Sequence, residues 1–293
     1  MNISVILPTY NRIKYLQKII DSVFNQTYSE GEIELIIIDD NSSDGTEEYI
    51  LSLANNKIKY IKNKTNKGGA YSRNIGVQNA NYDYIAFIDS DTIWYKNKLS
   101  KQISLLINNP EKIIYCCYRK QRRGKWLLQP KDIFDGQIFE NLIFQNFIDT
   151  PSSIMKKELF LSVGGFDEDL PRFQDWDLFL RLAQQYDFVG IKEPLFDSLT
   201  LRKSITTNDK SRIIALEIIF EKYKSYILKN NLLSQRFIIK IVNANLILND
   251  FYNCRKIICN NDVKFSLKIK LYLLVFIFSF LPNNSYKNLY SLR

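Results

Sequence analysis

A chain of 293 residues, 46% hydrophobic and 24% charged, can bury a sizeable core without disulfide or metal staples, so disordered, collagen-like and disulfide-scaffold architectures are excluded. The chain has no histidine, which removes Ser-His-Asp and Cys-His catalysis and any His-ligated zinc site; a metal must be held mainly by oxygen ligands, and the natural general base is a carboxylate. The net charge of +9 is uneven: residues 1–200 carry 24 Lys/Arg against 26 Asp/Glu, whereas residues 201–293 carry 16 against 5.

The elements alternate from the start. Ile3–Leu7 is a short apolar run that predicts a buried strand, and it leads straight from the first residues with no basic leader, so no signal peptide is expected. Leu16, Ile19, Ile20, Val23 and Phe24 have helical spacing. Leu35–Ile38 predicts a second strand ending at Asp39-Asp40, and Thr46–Leu53 a short helix. Ile58–Ile61 predicts a third strand, Ala70–Asn79 a helix opened by Gly68-Gly69, and Tyr84–Ile88 a fourth strand ending at Asp89-Ser90-Asp91. Such alternation argues for a parallel sheet covered by helices, with ligands at the carboxyl ends of its strands. Cys116 and Cys117 adjoin on a further strand. With Cys254 and Cys259 they lack the spacing of a zinc site and read as small hydrophobes of a reduced cytosol. Arg119, Lys120, Arg122, Arg123 and Lys125 form a basic cluster expected in a loop. Beyond residue 208 the pattern is helical over Ile213–Leu228, Leu233–Cys259 and Phe265–Leu281. The apolar run Leu271–Leu281, closed by Pro282, is shorter than the roughly 20 residues that span a bilayer.

Several polar groups fall at the strand ends. Asp89 and Asp91, two carboxylates at i and i+2 leaving a buried strand, suit Mg²⁺ or Mn²⁺, which keep waters and take further ligands from phosphate; D-x-D also occurs in ordinary solvated turns. Asp40 could accept hydrogen bonds from a base N–H or a ribose hydroxyl. Ser43 or Asp44 reads as the N-cap of the helix that follows. Asn66-Lys67-Gly68-Gly69 with Arg73-Asn74 combines a Gly-rich turn, a helix N-terminus and an arginine, a setting for a diphosphate, though such a turn can be no more than a turn. No G-x-G-x-x-G or P-loop pattern occurs. Gln174-Asp175-Trp176-Asp177 starts a helix. Its acids can be caps, or one can be a base whose pKa is raised by a desolvating neighbour such as Trp176.

In order, Pro8-Thr9-Tyr10-Asn11-Arg12, Asp39-Asp40-Asn41-Ser42-Ser43-Asp44-Gly45-Thr46, Asn66 to Asn74, Asp89-Ser90-Asp91, Gly164-Gly165-Phe166-Asp167 and Gln174-Asp175-Trp176-Asp177 resemble the motif series of family 2 glycosyltransferases. The resemblance covers roughly residues 1–200. It implies a GT-A fold, a Rossmann-like mixed, mostly parallel α/β sheet flanked by helices, here followed by a C-terminal helical extension. It also implies a UDP-sugar donor, Mn²⁺ or Mg²⁺, and inversion at the anomeric carbon. On the matching positions, Pro8, Thr9, Tyr10, Arg12, Asp40, Gly68, Arg73, Asp89 and Ser90 would line the nucleotide-sugar site, Asp91 with Asp89 would hold the metal, and Asp175 would be the base. Gln174 and Trp176 would lie on the acceptor side; the family commonly has Glu where Gln174 stands.

The expected organisation is a GT-A domain over 1–207 and a basic helical region over 208–293. The expected activity is transfer of a hexose or N-acetylhexosamine to a glycan or lipid-linked acceptor in cell-surface polysaccharide synthesis. A non-catalytic sugar-nucleotide-binding or scaffolding protein on the same fold is the alternative, against which Asp89, Asp91 and Asp175 argue. The basic helices, with Lys264, Lys268 and Lys270 beside Leu271–Leu281, suit an anionic membrane surface better than nucleic acid, because the sheet region is slightly acidic; an ordinary solvated face over a helical core is the plain alternative. The expected location is therefore cytoplasmic, peripheral on the inner face of the cell membrane, without a nucleic-acid partner.

Overall fold

The computed structural model describes residues 1–122, 124–199, 209–260, 265–281 and 286. The chain forms two compact units. The first holds residues up to Glu168 and from Gln174 through the last strand; the second holds Asp169–Phe173 and the helices that begin at Asp209.

In the first unit, β1 (Ile3–Thr9), α1 (Ile13–Phe24), β2 (Ile33–Asp39), α2 (Thr46–Ser52), β3 (Ile58–Lys62), α3 (Gly69–Gln78) and β4 (Tyr84–Phe87) alternate as the periodicity predicts. Strands β3, β2, β1 and β4 lie side by side and are parallel. Strands covered on both faces read as unbroken apolar runs, and Val5, Ile6, Leu7 and Leu35–Ile38 are fully buried. Helix α3 lies very close to this sheet. A Cβ on Gly76 would stand 2.5 Å from Ile6 Cγ2 and 2.7 Å from Ile38 Cδ1, so only glycine lets the helix carrying Arg73 pack there.

The sheet then continues with β5 (Thr92–Trp94), α4 (Lys98–Asn108), β6 (Ile113–Arg122), β7 (Lys125–Gln129), α5 (Phe139–Phe144), a 3₁₀ turn (Thr150–Ser152), β8 (Ile154–Lys156), α6 (Lys157–Ser162), α7 (Gln174–Ala183) and β9 (Phe188–Ser198). Its order is β3-β2-β1-β4-β8-β6-β9-β5, with β7 on β6. The sheet is less parallel than expected: β8 pairs antiparallel to both β4 and β6, and β5–β9 and β6–β7 are antiparallel too. The basic cluster corrects a second expectation. Arg119, Lys120 and Arg122 belong to β6 and Lys125 to β7, making an antiparallel ribbon rather than a loop; Arg123 lies outside the described residues. Lys98 is wholly buried, with Nζ 2.6 Å from Gln102 Oε1 and 4.2 Å from the Trp94 ring centre; burial pulls its pKa down to about 8.

The second unit holds α8 (Asp209–Lys222), α9 (Lys224–Lys229), α10 (Asn231–Ile247), α11 (Phe251–Asn260) and α12 (Phe265–Ser279). The single helix expected over Leu233–Cys259 is therefore two: Asn249 takes φ 57° between them, a left-handed turn that asparagine tolerates. The unit has its own core of Ile238, Val242, Leu246, Cys254, Ile258, Leu271 and Val275. Lys264 and Pro282 lie outside the described residues. No helix among the described residues is long and apolar enough to cross a membrane.

Candidate active site

The parallel register brings the strand ends into line: Thr9 is level with Asp39, and Asp39 with Lys62. One residue on, the Asp40 amide donates to the Thr9 carbonyl and the Asn63 amide to that of Asp39, both at 2.8 Å. The Asp40 carboxylate, 5% exposed, accepts 2.8 Å hydrogen bonds from Asn63 Nδ2 and the Lys67 amide on Oδ1, and from the Gly68 amide on Oδ2. It therefore fixes the Gly-rich turn ahead of α3. Asp39 is held differently, by the Ser42 amide and the Tyr60 hydroxyl.

The neighbouring loop is tied across the β1 and β2 ends. The Asn11 amide donates to Ser42 Oγ and the Ser43 amide to Asn11 Oδ1, both at 2.9 Å. The cap of α2 is Gly45, with no side-chain cap bond, instead of Ser43 or Asp44. Asp44 instead receives the Ile13 amide at the start of α1 and the Thr46 hydroxyl. Burial pushes its pKa up, but these hydrogen bonds outweigh it and hold the carboxyl below its ordinary value. Pro8 is half-buried in β1, and Tyr10 is 48% exposed on the loop after it.

Arg73, on the first turns of α3, reaches Asp89 Oδ1 with Nη2 at 2.5 Å, and its guanidinium lies 5.4 Å from the Phe166 ring centre. The Phe166 loop is fixed from two sides. Asn74 both accepts from the Phe166 amide and donates to its carbonyl at 2.9 Å. Arg181 of α7 donates to the Val163 and Gly165 carbonyls and pairs with buried Asp177. Gly165 has φ 70°, and a Cβ there would lie 2.7 Å from Asn74 Oδ1. The Gly164-Gly165-Phe166 and Gln174–Asp177 motifs are thus one interlocked piece, and Asp177 is its internal counter-ion.

Asp91 and Asp175 come from different elements, and both feel the charge of a common carboxylate, Asp149. Burial first, then the charges of Asp89 and Asp149, raises the Asp91 pKa to about 7, with Lys120 and Arg12 opposing. Burial and then Asp149 raise the Asp175 pKa to about 6. The Trp176 amide, Asn146 and Arg73 oppose that rise, and Asn146 Nδ2 stands 3.3 Å from Asp175 Oδ2. Asp149 is itself raised by burial, with Lys120 opposing as the next largest influence and a Tyr118 hydrogen bond further down. Asp175, Asp149, Asn146, Tyr118, Lys120 and Gln129 line one cavity of about 150 Å³. Of the five buried side-chain polar atoms without a partner among the described residues, two belong to this region, Arg73 Nε and Asn146 Oδ1, and a third, Thr9 Oγ1, lies at the strand ends. Buried polar atoms are normally paired, so their concentration here marks a surface made for a polar ligand.

The predicted residues thus form two neighbourhoods. Thr9, Asp40 and Gly68 gather at the strand ends, and Arg73, Asp89, Asp91 and Asp175 share a second, connected electrostatically. Arg12 opposes the charge of Asp91, and Ser90 lies in the turn closed by the Thr92 amide on the Asp89 carbonyl. Trp176, expected on the acceptor side, is 2% exposed and its Nε1 donates to the Leu142 carbonyl at 2.7 Å, so it anchors the start of α7. Gln174, half-buried, starts that helix. Asp149, Asn146, Tyr118 and Asn63 went unrecognised in the sequence, where none of them belongs to a motif.

Among the described residues no three acidic or cysteine side chains converge into a ready metal site. Asp89 is engaged by Arg73, so of the two acids Asp91 is the one that could hold a divalent cation. A single carboxylate with diphosphate and water oxygens suits Mg²⁺ or Mn²⁺, and the crowding of Asp91 by Asp89 and Asp149 is the setting a cation relieves.

Residues 4–161 match the family model for Glycosyl transferase family 2. The chain is 31% identical over 216 residues to an uncharacterized glycosyltransferase of Rickettsia typhi, covering 69% of this chain and 67% of that protein. It is 40% identical over 116 residues to the Escherichia coli UDP-Glc:alpha-D-GlcNAc-diphosphoundecaprenol beta-1,3-glucosyltransferase WfgD, covering 40% and 45% of the two chains. The chain matches 29–67% of the length of the first five curated relatives. Among solved structures, Staphylococcus aureus TarS 1-349 in complex with UDP-GlcNAc aligns at TM-score 0.69 and 17% identity, covering 100% of this chain and 92% of that one. A Pyrobaculum calidifontis mannosyltransferase in complex with GDP-Man and Mn²⁺ aligns at TM-score 0.57 and 16% identity, covering 98% and 82%. The chain belongs to glycosyltransferase family 2 and has the GT-A architecture, a mixed α/β sheet with flanking helices followed by a helical region.

Proposed function

We propose that this protein transfers a hexose or N-acetylhexosamine from a UDP-sugar, with inversion, to a glycan or lipid-linked acceptor in cell-surface polysaccharide synthesis. The observation that carries the reading is the cavity of sugar size lined by Asp175 and Asp149, with Asp149 close enough for its charge to act on both Asp175 and Asp91. It supports a base and a cation-binding acid in one neighbourhood. The nucleotide reading is supported by the unpaired Thr9 Oγ1 and Arg73 Nε. It is supported too by Asp40, whose Oδ2 holds one described hydrogen bond and keeps a lone pair for a base N–H.

In this reading Thr9, Tyr10, Arg12 and Asp40 hold the nucleoside, and Arg73, Gly68 and Ser90 lie along the diphosphate and donor sugar. Asp91 would hold Mn²⁺ or Mg²⁺, which would supply positive charge to the diphosphate leaving group. Asp175 takes the proton of the acceptor hydroxyl as its oxygen attacks the anomeric carbon from the face opposite UDP. Asp89 orients Arg73 through their ion pair. A thermal-shift panel of sugar nucleotides tests the donor side, because a ligand that binds only the folded state raises the melting temperature. UDP-sugars are expected to raise it, and more so with Mn²⁺. No shift with any UDP-sugar overturns the donor assignment.

The location we propose is the cytoplasmic face of the membrane, held peripherally through α12. Leu273, Phe276, Ile277 and Phe280 are 53–74% exposed and lie at i, i+3, i+4 and i+7, one side of a helix, with Lys268 and Lys270 nearby. An apolar stripe with flanking cations suits a helix lying in the interface of an anionic bilayer. Sedimentation with phosphatidylglycerol vesicles is expected, and Phe276→Asp with Ile277→Asp should release most of the bound protein. Unchanged sedimentation of that variant overturns the role of α12.

A further inference from the structure

The β6–β7 ribbon has two faces, and one of them runs out of the acceptor-side cavity. Directly opposed residues in an antiparallel pair share a face, and the faces alternate along each strand. Tyr118 opposes Gln129, Lys120 opposes Leu127, and Arg122 opposes Lys125. Tyr118, Gln129 and Lys120 all line the cavity that contains Asp175. Leu127, Arg122 and Lys125 therefore continue that same face outward. Lys120, Arg122 and Lys125 are exposed, and no hydrogen bond or ion pair engages any of them among the described residues. Lys120 and Arg122 stand about 7 Å apart along the strand.

Arg119, in contrast, points to the other face and is fully used. It makes two 2.8 Å bonds to Asp197 and lies over the Tyr95 and Trp126 rings. The ribbon is thus pinned to β9 by one arginine and presents three cations on its opposite side: Lys120, which also faces the charges of Asp149 and Asp91, and Arg122 and Lys125 further out. The cavity is small and polar-walled, with Asn146 Oδ1 buried and unpartnered beside Asp175. It suits one sugar ring with a hydroxyl toward the base. Whatever is attached to that ring on the outward side meets a cationic track with an exposed leucine, Leu127, within it.

We infer that this ribbon face is an acceptor subsite, and that it reads a phosphate or diphosphate ester joining the acceptor sugar to a lipid. The sugar occupies the cavity, the phosphate oxygens lie on Lys120, Arg122 and Lys125, and the first part of the lipid chain passes Leu127. Charge complementarity selects the phosphate, since Arg122 and Lys125, in line with Lys120, meet no acid of their own among the described residues and a neutral linkage would leave them without partners. Leu127, exposed on that same face, selects an apolar chain over a polar polymer as the group beyond. The assignment rests on Asp175 facing the acceptor, and it adds the charge and the attachment of that acceptor.

The test is equilibrium binding by calorimetry, with UDP and Mn²⁺ present. The probes are octyl-diphospho-N-acetylglucosamine and the neutral octyl N-acetylglucosaminide, both below their micelle concentrations. The wild-type protein is expected to bind the diphosphate at least tenfold more tightly, with the preference shrinking as salt is added. Arg122→Gln with Lys125→Gln, both at exposed positions, should cut that preference below threefold, and Lys120→Gln should also reduce it. Equal affinities, binding of neither probe, or a preference that survives the double substitution each overturn the subsite. If the double variant keeps the preference but loses phosphatidylglycerol vesicles, the cations serve the membrane surface and not the acceptor. Stabilisation by UDP-sugar, read separately on the same samples, tells failure of the subsite from failure of the donor assignment.

Discussion

Replacing Asp175 by Asn is expected to lower glycosyl transfer by about 10²–10⁴-fold, the usual contribution of a positioned general base, while UDP-sugar still stabilises the fold. Asparagine keeps the size of the side chain and can still meet the Trp176 amide that Asp175 now accepts at 2.8 Å, so α7 should keep its start. It removes only the capacity to take a proton. The pH profile gives a second, independent readout. Burial, then the negative charge of Asp149, raises the Asp175 pKa to about 6, against the Trp176 amide, Asn146 and Arg73. Because the reactive form is the carboxylate, activity should climb as pH rises through about 6 and level off above it. Asp149→Asn removes one of the charges that favour the protonated form, so the rise should move to lower pH. Transfer by Asp175→Asn within tenfold of wild type, or a rise that Asp149→Asn leaves in place, assigns the proton to another group.

The parallel part of the sheet and its motifs were legible because their physics is local. Leu35–Ile38 is buried on both faces, so it reads as an unbroken apolar run, and the polar residues that follow must lie at a strand end. The ribbon was not legible. Arg119, Lys120, Gln121 and Arg122 are successive polar residues, and a two-stranded ribbon wet on both sides carries no apolar alternation to distinguish it from a loop. Asp149 was missed for another reason. Its significance comes from Tyr118, Asp91 and Asp175, which the chain delivers from other elements, and nothing in Phe147-Ile148-Asp149-Thr150 announces that meeting. The bond from Trp176 Nε1 to the Leu142 carbonyl was equally invisible, since Leu142 belongs to another helix distant in the chain. The division near Asn249 was hidden because no glycine or proline interrupts the apolar pattern there; a single left-handed asparagine makes the turn.

Asp40→Asn is expected to be the most damaging isosteric change outside the reacting groups. Three N–H donors converge on this carboxylate, one from Asn63 and two from consecutive backbone amides, and they use both oxygens. An asparagine has one acceptor oxygen. In either orientation its own NH₂ must face at least one of those amides, donor against donor, at a position only 5% exposed. Hydrogen bonds to a charged acceptor contribute about 1.5–3 kcal/mol each, so a loss on the order of 3 kcal/mol follows, or about 6–12 °C in the melting temperature of a unit of this size. The damage should not stop at stability. The Lys67 and Gly68 amides are fixed by Asp40, and that turn starts α3, which carries Arg73 to Asp89. Release of the turn should therefore weaken UDP-sugar binding more than tenfold, even at temperatures where the variant is still folded. Calorimetric melting and UDP-sugar titration measure the two effects separately. A melting temperature within 2 °C of wild type would mean that the turn is held by something other than this carboxylate. A stability loss with donor affinity intact would detach the turn from the nucleotide site altogether.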